Sequence, residues 1–565
     1  MFLGHTKKKR EEFRMAYLTM QGGQPVLILK EGTGRARKKE AQKSNITAAK
    51  AVAEVLKTTL GPRGMDKMLI DNLGDITITN DGATVLKDMD IEHPAAKMMV
   101  EISKTQDNMV GDGTTTVVVL GGELLKKAEG MLEQDIHPIS IVSGYRKATD
   151  MAVKILNKVA EDVAFDDAET LKKIAETSMS SKAVGYEKSH LADVAIEAVK
   201  QITEQRGDKK VADIDQIQIV KKVGKSLFET SLIKGVIVDK EAAHTRMPKR
   251  IEKAKICLVN AALEIEKTEF SAEVRIKDPS QVKAFMNQET HMLQNMVSKI
   301  KKSGADVVLC QKGIDDMAQH FLAKEGILAA TRVKESDMEK LSRATGAKIV
   351  VNLDDLKADD LGGAGIVEER KIGNDKMIFV EECKDPRSVT ILVRAGLERM
   401  VDEAERALKD ALSVVRDVVE HGKIVAGGGA IEAEIAKQLR EYAPKVGGRE
   451  QLAVNAFADS IEVVPWTLSE NAGLEPIDVI SELRAEHEKP KGAAVGVDVF
   501  SGKTMDMRKK GVIEPAIVKE HAIKSASETA CMILRIDDVI AASKPKGPEM
   551  PPGGGMPPGG MPGGY

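Results

Sequence analysis

Residues Gly111–Thr116 read GDGTTT, an acid between two glycines followed by three hydroxyls. Two stretches of helical periodicity flank the hexapeptide. Upstream, Pro94–Met109 places Ala96, Met99, Val100 and Ser103 on one face, and Pro94 suits a first helical turn. Downstream, Val117, Leu120, Leu124, Leu125, Ala128, Met131 and Leu132 recur at helical spacing. Such a loop at a helix N-terminus suits a phosphorylated ligand. Glycines admit the backbone to close range, free N–H groups and the helix dipole attract an anion, and Asp112 can hold a magnesium ion. Taken alone, the hexapeptide fits a plain helix–helix loop with a capping Asp and Thr equally well.

Further glycine and acid clusters occur along the chain. Thr59–Lys67 reads TLGPRGMDK, Asn80–Thr84 reads NDGAT, and Ala426–Ala430 reads AGGGA directly before a helical pattern. Glu514-Pro515 follows Gly511 and opens the last long helical stretch. Two fragments imitate a Walker phosphate loop and fail. Gly224-Lys225-Ser226 and Gly502-Lys503-Thr504 would need glycine at positions 219 and 497, which are Ile219 and Val497.

The elements that must position these clusters follow a long-range pattern. From Ala41 to about Val163 the chain is mainly helical, broken by Gly61–Gly64 and by a hairpin-like stretch, Gly74–Gly82. Helical periodicity returns over Ala168–Thr177 and Leu191–Gln205. Between Ile214 and about Ile378, strand candidates (Val236–Val238, Ile256–Val259, Val307–Leu309, Lys348–Val351) alternate with helices, as in an α/β domain. Long helical patterns then resume over Glu398–His421, Ala430–Tyr442 and Ile517–Val539. One helical domain split by an α/β insertion accounts for this order, and 565 residues exceed what a single core holds.

Composition narrows the function. The 84 basic and 87 acidic side chains nearly cancel, and aromatics make up 3%, so neither charge nor stacking argues for nucleic acid. No apolar run approaches the ~18 residues of a membrane span. Cys257, Cys310, Cys383 and Cys531 are scattered without a CxxC pair, as expected of a reducing cytoplasm. Residues 1–14, with KKKR at Lys7–Arg10, read as a disordered extension ahead of a start at Met15, and Arg35–Lys39 as a solvated arm. The Gly, Pro and Met tail, 544–565, cannot bury enough surface to order and reads as disordered.

In this order and spacing, TLGPRGMDK, NDGAT, GDGTTT, AGGGA and the Glu514-Pro515 step resemble those of the group II chaperonins, archaeal ones in particular, over about Met15–Ser543. The resemblance implies a multidomain α and α/β fold. A mainly helical equatorial ATPase domain (15–165 and 421–543) would be split by an intermediate domain (166–236 and 389–420) and an α/β apical domain (237–388). The apical domain would carry a helical lid at about 266–292. The implied cofactors are ATP and Mg²⁺, and the implied partners are unfolded polypeptides and sister subunits in a homo- or hetero-oligomeric double ring, eight or nine to a ring.

Residue roles follow from the same resemblance. Leu60, Gly61, Pro62 and Gly64 would line the phosphates and base edge of the nucleotide. Asp112 would ligate Mg²⁺, within a phosphate loop formed by Gly111, Gly113, Thr114, Thr115 and Thr116. Asp81, beside Gly82, would flank the γ-phosphate and the attacking water. Asp410, within RALKDALSVVR, would position or deprotonate that water, and Lys182, in TSMSSK, would sense the γ-phosphate. Gly428 and Gly429 would contact ribose and base, and Glu514 would take the ribose hydroxyls. Singly, Asp81 reads as a turn residue, Asp410 as an exposed helix acid and Lys182 as a solvated lysine. Ala426 stands where many group II chains carry proline, a change confined to a backbone bend.

The insertion would hold the client. Asp278–Ile300 reads as an amphipathic helix whose first part, with Phe285, matches the family's lid, while Met292 onward reads as core. Asp316–Leu328, with Met317, Phe321 and Leu322, resembles the apical helix that meets unfolded chains; core packing is the rival there. A small-molecule phosphotransferase with a mobile α/β domain is the competing reading of the whole.

Overall fold

The computed structural model describes residues 16–21, 24–29, 34–37, 39–71, 73–182, 184–207, 209–265, 279–383 and 387–541. The N-terminal extension, the Gly/Pro/Met tail, the stretch 266–278 of the expected lid and the side chain of Phe285 lie outside the described residues.

Three large buried clusters divide the chain. The first draws on both ends of the sequence. Helices Lys39–Lys57, Pro94–Val110, Thr114–Glu133 and Pro138–Val159 pack with Ala430–Val446, Gly448–Ile461 and Ala516–Leu534. Thr114–Glu133 is apolar nearly all round, so it sits centrally, burying Val117, Val118, Leu120, Leu124 and Leu125. Tyr145 anchors the two halves: its hydroxyl donates to Leu124 O at 2.8 Å, and its ring meets Phe457 edge-on at 5.6 Å.

The second cluster joins helices Ala168–Ser178, Lys188–Ile202 and Glu398–His421 to a three-stranded sheet. There Val389–Ala395 runs parallel to Ile217–Val223 and antiparallel to Ser231–Ile233. The third cluster surrounds a seven-stranded sheet in the order Gly235–Val238, Asp375–Glu381, Gly362–Ile372, Arg250–Val259, Val307–Cys310 and Leu328–Ala330, with Ile349–Val350 on Arg250–Val259. Helices Pro279–Ser303, Asp316–Lys324 and Glu335–Thr345 lie in the crossovers of its parallel part.

The chain leaves the first unit and returns to it side by side. Glu161–Asp162 pairs with Lys423–Ala426, which also pairs with Ile513–Pro515. Val163 N donates to Gly422 O at 2.8 Å, and Gly422 ends helix Glu398–His421. Both connections to the inserted portion therefore run through one small sheet.

Several elements differ from expectation. Asp538–Ala541 is a strand paired with Gly34–Arg37, not the end of a helix, and the expected solvated arm is thereby largely a strand. Val539 and Ile540 serve either period, which is why the helical pattern read on past Leu534. The expected helix Asp316–Leu328 stops at Lys324, Gly326 turns at φ 73°, and Leu328 begins a buried strand. The break before Gly82 is a hairpin of Lys67–Ile70 with Ile76–Thr79. Among the described residues no helix is long and apolar enough to cross a membrane.

Candidate active site

The glycine and acid clusters converge on one cavity of about 350 Å³, a size suited to a small ligand. Its phosphate-like end is the N-terminus of helix Thr114–Glu133. Gly113 occupies the cap position at φ 77° and supplies no side-chain cap, so first-turn N–H groups lack intrahelical acceptors. Thr114, Thr115 and Thr116 line the cavity here with Asp112. Asp112 accepts from Gly113 N at 2.6 Å, and Gln106 Nε2 donates to Asp112 O at 2.9 Å.

Asp81 approaches from the NDG turn of the first unit, whose helix buries Val85 and Leu86 there. It caps helix Gly82–Asp88, accepting from Thr84 N at 2.8 Å, and Thr114 Oγ1 donates to its other oxygen at 3.2 Å. Gly82 is required by contact: a Cβ there would lie 2.7 Å from Thr115 Oγ1 and 2.9 Å from Thr115 N. The NDG turn can thus rest directly on the phosphate-loop helix.

The middle unit completes this end. Lys182, just after the turn Met179–Ser181, reaches Asp410 Oδ2 at 3.2 Å and Asp81 Oδ1 at 3.6 Å. The Lys182 side chain is buried, and Asp410 comes from helix Glu398–His421. Burial pushes Asp410 well above the usual carboxylate range, against the pull of Lys182. Burial raises Asp112 too, while Gly113 N and Lys182 oppose it. Burial also acts to raise Asp81, but Lys182 and the hydrogen bonds from Thr84 and Thr114 prevail and hold it below its ordinary value. Burial disfavours the Lys182 ammonium, yet Asp410 and Asp81 outweigh that and keep it charged.

The opposite end suits a nucleoside. Leu60, Gly61 and Pro62 form one wall, with Gly428 and Gly429 before helix Ala430–Val446. Val464, Leu468, Val497, Val499, Phe500 and Met507 supply an apolar lining. Glu514 pairs with Lys519 at 2.7 Å, and Lys519 also holds Glu432 at 2.9 Å. Burial raises Glu514 despite Lys519.

Asp81, Asp112, Asp410, Lys182, Leu60, Gly61, Pro62, Gly82, Gly113, the three threonines, Gly428, Gly429 and Glu514 all line this cavity. Gly64 and Gly111 do not. Gly64 closes a turn by donating to Gly61 O at 2.9 Å, and Gly111 caps helix Pro94–Val110. The residues read as client contacts do not line it and belong to the seven-stranded unit. Met317 is 45% exposed, Phe321 is half-buried, and Leu322 is 0% exposed within the core. Leu322 therefore faces its own domain, a correction to its reading as a client contact. Met292 is 47% exposed, so the buried stripe of its helix begins at Leu293 instead.

Sequence reasoning missed Gln106, Lys519, Asn80 and Asp498. Gln106 ties Asp112 O to Val518 O and meets His521 Nδ1 at 2.6 Å. Asn80 Nδ2 donates to Ser181 O, linking the NDG turn to the middle unit, while its Oδ1 is buried with no partner among the described residues. Asp498 accepts from Ser501 Oγ at 2.7 Å and Phe500 N at 3.2 Å, shaping the apolar end of the cavity. Asn80 opens the NDGAT motif but was given no role, Gln106 and Lys519 carry no local motif, and the spacing D-x-x-S at Asp498 hinted only at a turn.

A split helical unit, an inserted α/β unit and a phosphate loop closed by an acid from between them define a class. The sequence profile of the TCP-1/cpn60 chaperonin family matches residues 52–544. The chain belongs to that family, as a group II chaperonin. A protein named thermosome subunit from Desulfurococcus sp. (strain SY) is 59% identical over 522 residues, 92% of this chain and 96% of that relative. Thermosome subunit beta of Thermococcus kodakarensis is likewise 59% identical, over 92% and 95%. Thermosome subunit alpha of Archaeoglobus fulgidus is 56% identical over 539 residues, 95% and 98% of the two chains.

Proposed function

We propose that this chaperonin subunit hydrolyses Mg·ATP in the cavity between its split helical unit and its middle unit, and uses turnover to enclose unfolded polypeptides in a double ring with a built-in lid. The observation that carries the reading is the bridge Asp81–Lys182–Asp410, which brings an acid from the middle unit over the N-terminus of helix Thr114–Glu133. The three buried clusters support an equatorial domain at 15–165 and 421–543, an intermediate domain at 166–236 and 389–420, and an apical domain at 237–388. The lid at about 266–292 rests on the family resemblance.

The residues present fit a magnesium nucleotide. Asp81 and Asp112 act electrostatically on Asp410, and Lys182 touches two of the three carboxylates, leaving acid in excess where a hard cation belongs. Asp112 would hold the metal, which supplies charge neutralisation to the phosphates when bound. First-turn N–H groups and the hydroxyls of Thr114, Thr115 and Thr116 hold phosphate oxygens. Asp81 orients the attacking water and Asp410 accepts its proton. Burial makes Asp410 a stronger base than a solvated carboxylate, and Lys182 keeps its ionised form within reach. Glu514 takes the ribose hydroxyls. Because Asp410 belongs to the inserted portion, turnover depends on how that portion docks, as with an enzyme lid.

Exposed Met317 suits contact with varied apolar clients. Four buried, unpaired cysteines suit a reducing cytoplasm. Negative-stain images of the purified protein should show stacked double rings of eight or nine subunits, with ATP hydrolysis that stops on chelating magnesium. Rings without hydrolysis, or hydrolysis by a monomer, would overturn the reading.

A further inference from the structure

Helix Glu398–His421 turns more than Asp410 toward the phosphate loop. Ser413, Arg416 and Asp417 follow at spacings of three, six and seven, which is one helix face. One turn past Asp410, buried Ser413 rests on Gly111. A Cβ at Gly111 would lie 2.3 Å from both Cβ and Oγ of Ser413, and Gly111 has φ 66°. No other residue fits there without moving the helix.

One turn further, Arg416 Nη2 donates to Met109 O at 2.8 Å. That carbonyl sits at the C-terminus of helix Pro94–Val110, where carbonyls lack intrahelical donors and the dipole favours a cation. Arg416 is itself braced, since Nε and Nη2 donate to Asp417 Oδ1 at 2.9 and 2.6 Å. Its side chain is 14% exposed and that of Asp417 3%. None of Met109, Gly111, Ser413 and Arg416 lines the cavity.

We infer that Ser413 on Gly111, with Arg416 on Met109, forms a docking latch that sets the register of helix Glu398–His421 and hence the position of Asp410 over the phosphate site. Ser413 and Arg416 are positioning residues, and the assignment rests on Asp410 as the acid that activates water. The Met109–Gly111 turn runs straight into Asp112, so the latch grips the loop that holds the phosphates. Two contacts on one side of Asp410, and Lys182 at Asp410 itself, fix the helix along its length. Losing the latch should spoil turnover while leaving the nucleotide its own contacts.

The test compares Ser413→Leu, Arg416→Ala and Arg416→Lys with Asp410→Ala in the assembled protein, measuring kcat, KM and Mg·ATP affinity. Misplacement of a reacting group by about 1 Å costs on the order of 10²-fold, so Ser413→Leu and Arg416→Ala should each lower kcat by about 10- to 100-fold. Affinity for Mg·ATP should stay within about twofold, a split that a general loss of structure would not produce. Ser413→Ala, which keeps the contact narrow, should recover hydrolysis. Ser413→Leu added to Asp410→Ala should slow it no further, because Ser413 acts through Asp410. Should Arg416→Ala fail to assemble, Ser413→Leu and Arg416→Lys carry the comparison. Normal kcat in the latch variants beside a slow Asp410→Ala would overturn the latch alone. Losses that repeat in full without Asp410 would overturn it as well. Normal turnover by Asp410→Ala would remove the water-activating role and the latch with it.

Discussion

Lys182 serves two carboxylates at once, and Asp112 serves none of its neighbours' charges so directly; the two positions should therefore fail in different ways. Asp112 stands beside the helix N-terminus with Gly113 N on one oxygen, the placement of a metal-holding acid. Asp112→Ala should weaken Mg·ATP binding while leaving metal-free nucleotide binding largely intact, because helix N–H donors remain. Calorimetry with and without magnesium measures both, and an unchanged Mg·ATP affinity would remove the assignment. Asp81 and Asp112 were legible in the sequence because each sits in a short glycine-bearing motif, whereas Asp410, in RALKDALSVVR, was legible only through the resemblance. Gln106 and Lys519 were not. Gln106 earns its place through Val518 and His521, more than four hundred residues away, and no local pattern encodes such a partner.

Helices and strands carry the next level of the account. On helix Asp316–Lys324, Met317 and Leu322 stand on opposite terms with water, one 45% exposed and the other 0%. Leu322→Ala should cost about 2–5 kcal/mol of stability as a core truncation. Met317→Ala should change stability by less than about 0.5 kcal/mol but weaken capture of an unfolded client. Denaturant titration and client co-sedimentation separate the two. Equal effects at both positions would contradict this division. The sequence showed that this helix was amphipathic but not which face met the sheet, since that depends on the strand order.

Helix Glu398–His421 also carries a pH signature. Burial, only partly offset by Arg416, pushes Asp417 up to about 7 from an ordinary 3.8. The folded chain thus holds a proton there that the unfolded chain has released, so stability should fall as pH rises from about 4 to about 7. Asp417→Asn keeps an acceptor for Arg416 and removes the ionisation. Its urea midpoint should rise relative to the parent between pH 5 and pH 8, flattening the slope. A parallel profile would show that Asp417 stays ionised throughout.

At the scale of the whole molecule, the division into a helical unit and an inserted α/β unit was readable because the hydrophobic period changes near Ile214 and changes back near Ser388. The pairing of both crossings in one sheet was not, because Glu161–Asp162 is too short to signal a strand. That shared crossing brings both connections of the inserted portion to one place on the helical unit. If residues 266–292 serve as the lid that the resemblance implies, replacing residues 268–288 by a short Gly-rich linker should preserve rings and ATP hydrolysis but abolish protease protection of a bound client. Full protection in the deletion variant would dismiss the built-in lid.

The central claim is that the inserted portion, which also lines the cavity through Thr177, Ser178 and Lys182, delivers the acid for hydrolysis. Asp410→Ala tests it most directly, with Mg·ATP binding and single-turnover hydrolysis measured on the same assembled protein. The account predicts near-parental affinity with hydrolysis slowed by at least ~10²-fold, the scale of a positioned general base. Near-normal turnover with weakened ATP binding would contradict it.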